Sequence, residues 1–199
     1  DEIKKKGVSL VITVDCGITA VDEVEHAKQI GLDICITDHH ECTLKLPDAL
    51  AIVNPKRKDD TYSFKMLAGV GVAFKVITAI AIKHNLPKET YLKYLDIVSI
   101  GTISDIVPLI GENRIISRYG LKMMSKTENI GLKALIKLVN SKEIDSMMVS
   151  FGMAPRINAC GRMGHANEAL DLFLAKDTKT TNKLAKKMNE YNKNNSQIE

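Results

Sequence analysis

From Val8 to Val14 the chain runs Val-Ser-Leu-Val-Ile-Thr-Val, rich in β-branched residues and nearly all apolar. Such a run suits a parallel strand covered on both faces. It ends at Asp15-Cys16-Gly17, and a helical pattern follows from about Ala20 to Ile30, with Gly31 as its stop. Leu32 to Thr37 reads as a second strand ending in Asp38-His39-His40. A loop around Pro47 leads to a third, Ala49 to Val53, closed by Asn54-Pro55. Strand, helix, strand at this pace predicts a parallel α/β sheet with crossover connections.

After Lys65 the pattern turns helical. Gly69–Lys83, Tyr91–Ser104, Leu121–Ser125, Leu132–Asn140 and Ala166–Leu174 each read as helix, with Ala154–Gly164 lying between helical stretches. The last stretch, Thr178 to about Ile198, is polar and lysine-bearing, and predicts a solvated helix or connector. The sheet is thus expected in the first third and helices beyond it, within one domain over 1–177, followed by a connector helix over 178–199. No solenoid period is visible.

Composition narrows the class. With 45% hydrophobic and 26% charged residues the chain has the balance of a globular protein, which argues against wholesale disorder or a disulfide-dense scaffold. Lys75 and Lys83 interrupt the best apolar run, so no membrane span is expected. The four cysteines, Cys16, Cys35, Cys42 and Cys160, form no Cys-x-x-Cys pair and read as reduced thiols of a cytoplasmic protein. A formal charge of +4 is compatible with a polyanionic partner. The opening Asp1-Glu2-Ile3-Lys4, without Met or a leader pattern, leads us to expect an excised piece of a longer protein.

Three places carry candidate chemistry. In open α/β sheets ligands bind beyond the carboxyl ends of the strands. Two such ends here carry Asp15 and Asp38-His39-His40, and as sheet neighbours they would lie within about a nanometre. A carboxylate and an imidazole converging there could hold a divalent ion, with Gly17 letting the backbone turn beside it; equally, Asp38 could cap a turn. Asp96 and Asp105 are nine residues apart, so a straight helix puts them on opposite sides and one metal cannot take both. Asp105, just before Pro108, could enter a cleft, whereas Asp96 reads as a packing or capping residue. In Ala154–Gly164, Arg156, Asn158 and Arg162 sit among small residues, equipment for phosphate or simply a solvated loop. Gly69-Val70-Gly71 lacks the Lys-Ser/Thr of a P-loop and reads as close helix packing.

Taken together, Val14-Asp15-Cys16-Gly17, Asp38-His39-His40, Asn54-Pro55, the glycine-rich 67–75 segment, Gly101–Asp105 with Val107-Pro108-Leu109 and Glu112-Asn113-Arg114, and Arg156–Gly164 resemble the DHH phosphoesterase superfamily along nearly the whole chain. The 67–75 and 156–164 segments select its RecJ branch of single-strand-specific 5′→3′ exonucleases. The resemblance implies metal-dependent phosphodiester hydrolysis that releases 5′-mononucleotides from single-stranded DNA, in repair and recombination. It implies two Mn²⁺ or Mg²⁺ ions, with Asp15 bridging them and His39 and Asp105 as ligands of one. It further implies His40 at the scissile phosphate or attacking water, Asp38 orienting an imidazole, and Arg156, Asn158 and Arg162 gripping substrate phosphate. The superfamily's first aspartate-rich loop has no counterpart in residues 1–7, nor does its Gly-Gly-His substrate-binding domain appear, so one metal position should lose most of its shell and the 199-residue chain should hydrolyse little by itself. Two rival readings are a phosphoesterase for short oligonucleotides or nucleotides and a non-catalytic replication scaffold; retention of Asp15, His39, His40 and Asp105 together speaks against the scaffold.

Overall fold

The computed structural model describes residues 1–195, with side chains through Asn194. Its elements are α1 (Glu2–Lys5), β1 (Leu10–Val14), α2 (Val21–Gln29), β2 (Asp33–Thr37), β3 (Ala51–Val53), α3 (Gly69–Lys83), α4 (Glu89–Leu92), α5 (Leu95–Ser104), α6 (Gly111–Met124), α7 (Ile130–Val139), a π-helical turn (Met148–Met153), α8 (Ala154–Arg162), α9 (Ala166–Leu174) and α10 (Thr178–Asn195). The chain divides into two compact units, residues 1–93 with 107–115, and 94–106 with 116–199. Among the described residues no helix is long and apolar enough to cross a membrane.

The first unit holds the sheet, three parallel strands in the order β1-β2-β3. The three expected strands are present; β1 and β3 start two residues later than their patterns suggest, and β2 one residue later. Leu10 to Val14 pair with Asp33 to Thr37, and Cys35 to Thr37 pair with Ala51 to Val53, so the carboxyl ends of all three strands finish level. That common edge is what positions the site. Ile36 is fully buried at the centre, and α3 lies against β1 and β2 with Gly71, Val72 and Phe74 turned inward. One expectation fails here. β1 is not covered on both faces: Leu10, Ile12 and Val14 stand exposed, because α3 packs over its other face only and β1 is an edge strand.

The second unit is helical, built around Ile100, Ile103, Met124, Leu132, Leu135, Val149, Met153, Leu172 and Met188. Tyr91–Ser104, expected as one helix, is two, parted at Lys93-Tyr94 where the chain passes from one unit to the other. α6 begins ten residues earlier than Leu121. Its buried positions 113, 116, 117, 120 and 124 keep helical spacing, but Asn113, Ser117 and Gly120 occupy three of them and hide the stripe. Residues 154–162 form helix rather than loop. Pro155 cannot donate to the carbonyl four residues back, Phe151, and the wider π-helical turn absorbs that mismatch at the start of α8. α10 is not solvated all round, since Thr181, Ala185 and Met188 form a buried stripe against α7, α8 and α9; residues 196–199 lie outside the described residues.

Buried polar groups tie the helices of this unit together. Asp96, read as a packing residue, is buried, and its Oδ2 accepts a 2.5 Å hydrogen bond from Thr127 Oγ1. Asn129 caps α7 by accepting from Leu132 N at 2.9 Å and donates from Nδ2 to Phe173 O at 2.8 Å, tying α7 to the end of α9. Gly131 makes this close approach possible, since a Cβ there would fall 1.9 Å from Leu172 O. Gly161, by contrast, faces open space on α8. Gly131→Ala is therefore expected to cost about 1–3 kcal/mol of stability, and Gly161→Ala to gain about 0.5–1 kcal/mol. Urea denaturation of both variants checks this; equal midpoints would contradict the packing described.

Candidate metal centre

The level carboxyl ends of β1 and β2 dictate the site. Val14 lies opposite Thr37, so the next residues, Asp15 and Asp38, emerge side by side. Asp15 N continues the ladder by donating to Thr37 O at 2.9 Å, and Asp38 N donates to Val53 O at 3.0 Å. Thr37 Oγ1 adds a 2.7 Å bond to Thr13 O. Asp15 itself adopts φ 62°, a left-handed conformation that aspartate tolerates better than most residues, and Gly17 follows at φ 108°. The chain thus leaves β1 through a sharp turn that points the Asp15 carboxylate outward over the sheet edge.

Asp38 is the hub of the second turn. Its side chain is 1% exposed, and it accepts from Ile18 N through Oδ2 at 3.0 Å. Oδ1 accepts from His39 N at 2.7 Å, from His40 N at 3.2 Å and from the His40 Nδ1 at 2.7 Å. Burial alone would raise its pKa; the donors from Ile18, the His40 ring and the two backbone amides outweigh that, holding the carboxyl below the usual range. A carboxylate only accepts, so the bonded His40 Nδ1 carries a proton. Asp38 thus accepts from the amides of the turn and from the His40 ring at once.

Asp15, His39 and His40 each offer a donor atom, and these lie within 4.8 Å of one another. Asp15 Oδ1 and His39 Nε2 are 3.1 Å apart. Two donors bound at about 2.1 Å to one octahedral ion would be separated by about 3 Å, so this spacing fits a small divalent cation. The mixed oxygen and nitrogen set suits Mn²⁺ at least as well as Mg²⁺. The rings of His39 and His40 lie 4.5 Å apart, tilted by 55°. His39 is buried and Asp15 exposed, so the cluster opens on one side to solvent.

Two further residues build this centre, and sequence alone does not assign them to it. Gly69, the first residue of α3, faces Asp15: a Cβ there would fall 2.0 Å from Asp15 Oδ1. The glycine that reads as close helix packing thus makes room for the carboxylate against the first turn of a helix, where negative charge is favoured. Asn54, which reads as a strand stop, is fully buried. It donates from Nδ2 to His40 O at 3.0 Å and accepts at Oδ1 from Lys56 N at 2.9 Å. Its signal in the sequence is the Asn-Pro pair after a third strand aligned with the histidines.

The remaining candidates belong to the second unit. Asp105 is the C-cap of α5, at the helix end expected before Pro108. Asn158 and Arg162 are one turn apart on α8 and both line a cavity. Arg156 lies elsewhere on that helix, half-buried, with Nε donating to Asn189 Oδ1 at 3.0 Å and Nη1 to Gly152 O at 2.6 Å.

Known proteins place this arrangement in a family. The DHH family, N-terminal domain, matches residues 2–102. The single-stranded-DNA-specific exonuclease RecJ of Bacillus subtilis (strain 168) is 48% identical over 193 residues, 96% of this chain and 24% of that protein. The protein of the same description from Thermus thermophilus is 36% identical over 170 residues, 84% of this chain and 24% of its own length. The crystal structure of RecJ from Thermus thermophilus in complex with Mn²⁺ superposes with a TM-score of 0.88 at 32% identity, covering 99% of this chain and 30% of that one. A crystal structure of exonuclease RecJ bound to manganese gives a TM-score of 0.89 at 32% identity, covering 99% and 50%. The chain thus spans about a quarter of the length of the two relatives described. The sheet-edge aspartate, the Asp-His-His turn and the match over residues 2–102 agree, and the chain belongs to the DHH family.

Proposed function

We propose that this chain is the metal-binding part of a 5′→3′ exonuclease acting on single-stranded DNA, with Mn²⁺ or Mg²⁺ as cofactor. The observation that carries the reading is the convergence of Asp15, His39 and His40 at one sheet edge. The names of the similar proteins and the manganese in their crystal structures supply the reaction class and the ion. When bound, such an ion supplies an activated water and neutralises charge on the phosphoryl oxygens.

The chain's own residues have separable roles. Asp15 and His39 hold the ion, and Asp105 is proposed as a further ligand on the family pattern. Asp38 holds a proton on His40 Nδ1, so that Nε2 is the nitrogen that exchanges a proton or a hydrogen bond beside the scissile phosphate. Gly69 preserves the position of Asp15. Arg156, Asn158 and Arg162 are proposed to hold substrate phosphate, Arg156 through the guanidinium N–H groups that Asn189 and Gly152 leave unused.

Isothermal titration of Mn²⁺ into the chain tests the ion site. A saturable heat is expected that weakens by about tenfold or more in Asp15→Asn and in His39→Ala, and in Gly69→Ala, whose new methyl displaces Asp15. Unchanged affinity in all three would overturn the assignment. The reaction is tested by substituting this chain for the matching segment of the Bacillus subtilis relative. The chimera should degrade a labelled single strand, and Asp15→Ala in it should lower the rate by at least about a hundredfold. An Asp15→Ala chimera of near-normal rate would remove Asp15 from the chemistry.

A further inference from the structure

The second unit contains a cavity of about 420 Å³ whose walls include Ser104, Ile106, Phe151, Asn158, Arg162 and Asn192. Two of these are conspicuous. Phe151 is 72% exposed and Ile106 89% exposed. Phe151 is carried by the π-helical turn that Pro155 imposes, a distortion that turns up preferentially at functional sites.

Ile106 is costlier. It follows the C-cap of α5 and adopts φ 59°, with its amide donating to Ile103 O at 3.3 Å. That left-handed position after a helix normally takes glycine, and a β-branched residue there is a backbone outlier. Its side chain gains no burial in return. A strained, exposed isoleucine at the mouth of a cavity points to a task for the side chain rather than for the fold.

The polar walls say what the cavity could accept. Asn158 brings two donors and an acceptor, and Arg162 lies one turn further along the same helix. Ser104 Oγ is buried and makes no hydrogen bond among the described residues. Apolar walls facing amide and hydroxyl groups, in a space the size of a nucleotide, match a nucleobase better than they match an aliphatic chain or a bare phosphate.

We propose that Phe151 and Ile106 form the apolar walls of a nucleobase subsite, in which a base of the single strand stacks on Phe151 and meets Asn158 with its edge. This rests on the single-strand reading and adds a contact with the base to the phosphate contact proposed for Asn158, whose amide has separate donor and acceptor atoms for the two. Stacking of this kind is tolerant of sequence, because every base offers a π-face.

The test compares a fluorescein-labelled octathymidylate with an abasic strand of equal length and phosphate count, by anisotropy with the chain. The thymidylate should bind about tenfold more tightly. Phe151→Ala should abolish that preference while leaving affinity for the abasic strand unchanged. Ile106→Gly should reduce the preference while the melting temperature holds or rises, because glycine suits the left-handed backbone. Equal binding of the two strands by the wild-type chain, or a Phe151→Ala protein weakened equally for both, overturns the subsite and leaves the single-strand reading standing. Binding of neither strand overturns both.

Discussion

The candidate centre depends on one buried carboxylate. Asp38 sits at the end of the middle strand and gathers the Ile18 amide, the amides of His39 and His40 and the His40 ring. Without an acceptor there, the amides of buried Ile18 and His39 would lose their partner, at a cost on the order of 1–3 kcal/mol per unsatisfied buried group, and the exposed His40 ring would lose its anchor. With it, the turn after β1 and the turn after β2 are pinned to each other. The separation of Asp15 from His39 is then a consequence of strand register and of this one side chain. The low pKa of Asp38 follows from the same bonds.

The surroundings are arranged to protect that geometry. Asn54, at the end of β3, holds the carbonyl of His40 from the other side, so all three strands contribute to the placement of the histidine pair. Gly69 gives the Asp15 carboxylate room at the start of α3. Glu112, on the first turn of α6, pairs with Lys75 of α3 and accepts from Tyr62, while Asn113 beside it binds Met66 O and Pro108 O. These contacts hold the segment around Tyr62 and Met66 that leads into α3. The site is thus carried by the ends of the strands and the start of α3.

Much of this is legible in the sequence, for identifiable reasons. β-branched runs ending in Asp15 and in Asp38-His39-His40 betray parallel strands with chemistry at their carboxyl ends, and the sheet order makes those ends neighbours. Gly69–Lys83 and Ala166–Leu174 are bounded as expected because their apolar spacing is unbroken. What cannot be read depends on contacts between distant residues. The face of β1 that α3 leaves bare, the service of Gly69 to Asp15 and the grip of Asn54 on His40 are invisible to periodicity. α6 is obscured because buried Asn113 and Ser117 mimic a solvated face. The helix over 154–162 is obscured by Pro155 and Gly161, which read as loop residues until the π-helical turn before them is seen.

The account stands most directly on the state of the His40 ring. Long-range ¹H–¹⁵N correlation of the histidine side chains in the metal-free chain at neutral pH reports which nitrogen bears the proton. The hydrogen bond to an ionised Asp38 predicts a His40 ring that carries a proton on Nδ1. A neutral ring protonated on Nε2 would contradict it, because Asp38 would then not be organising the pair.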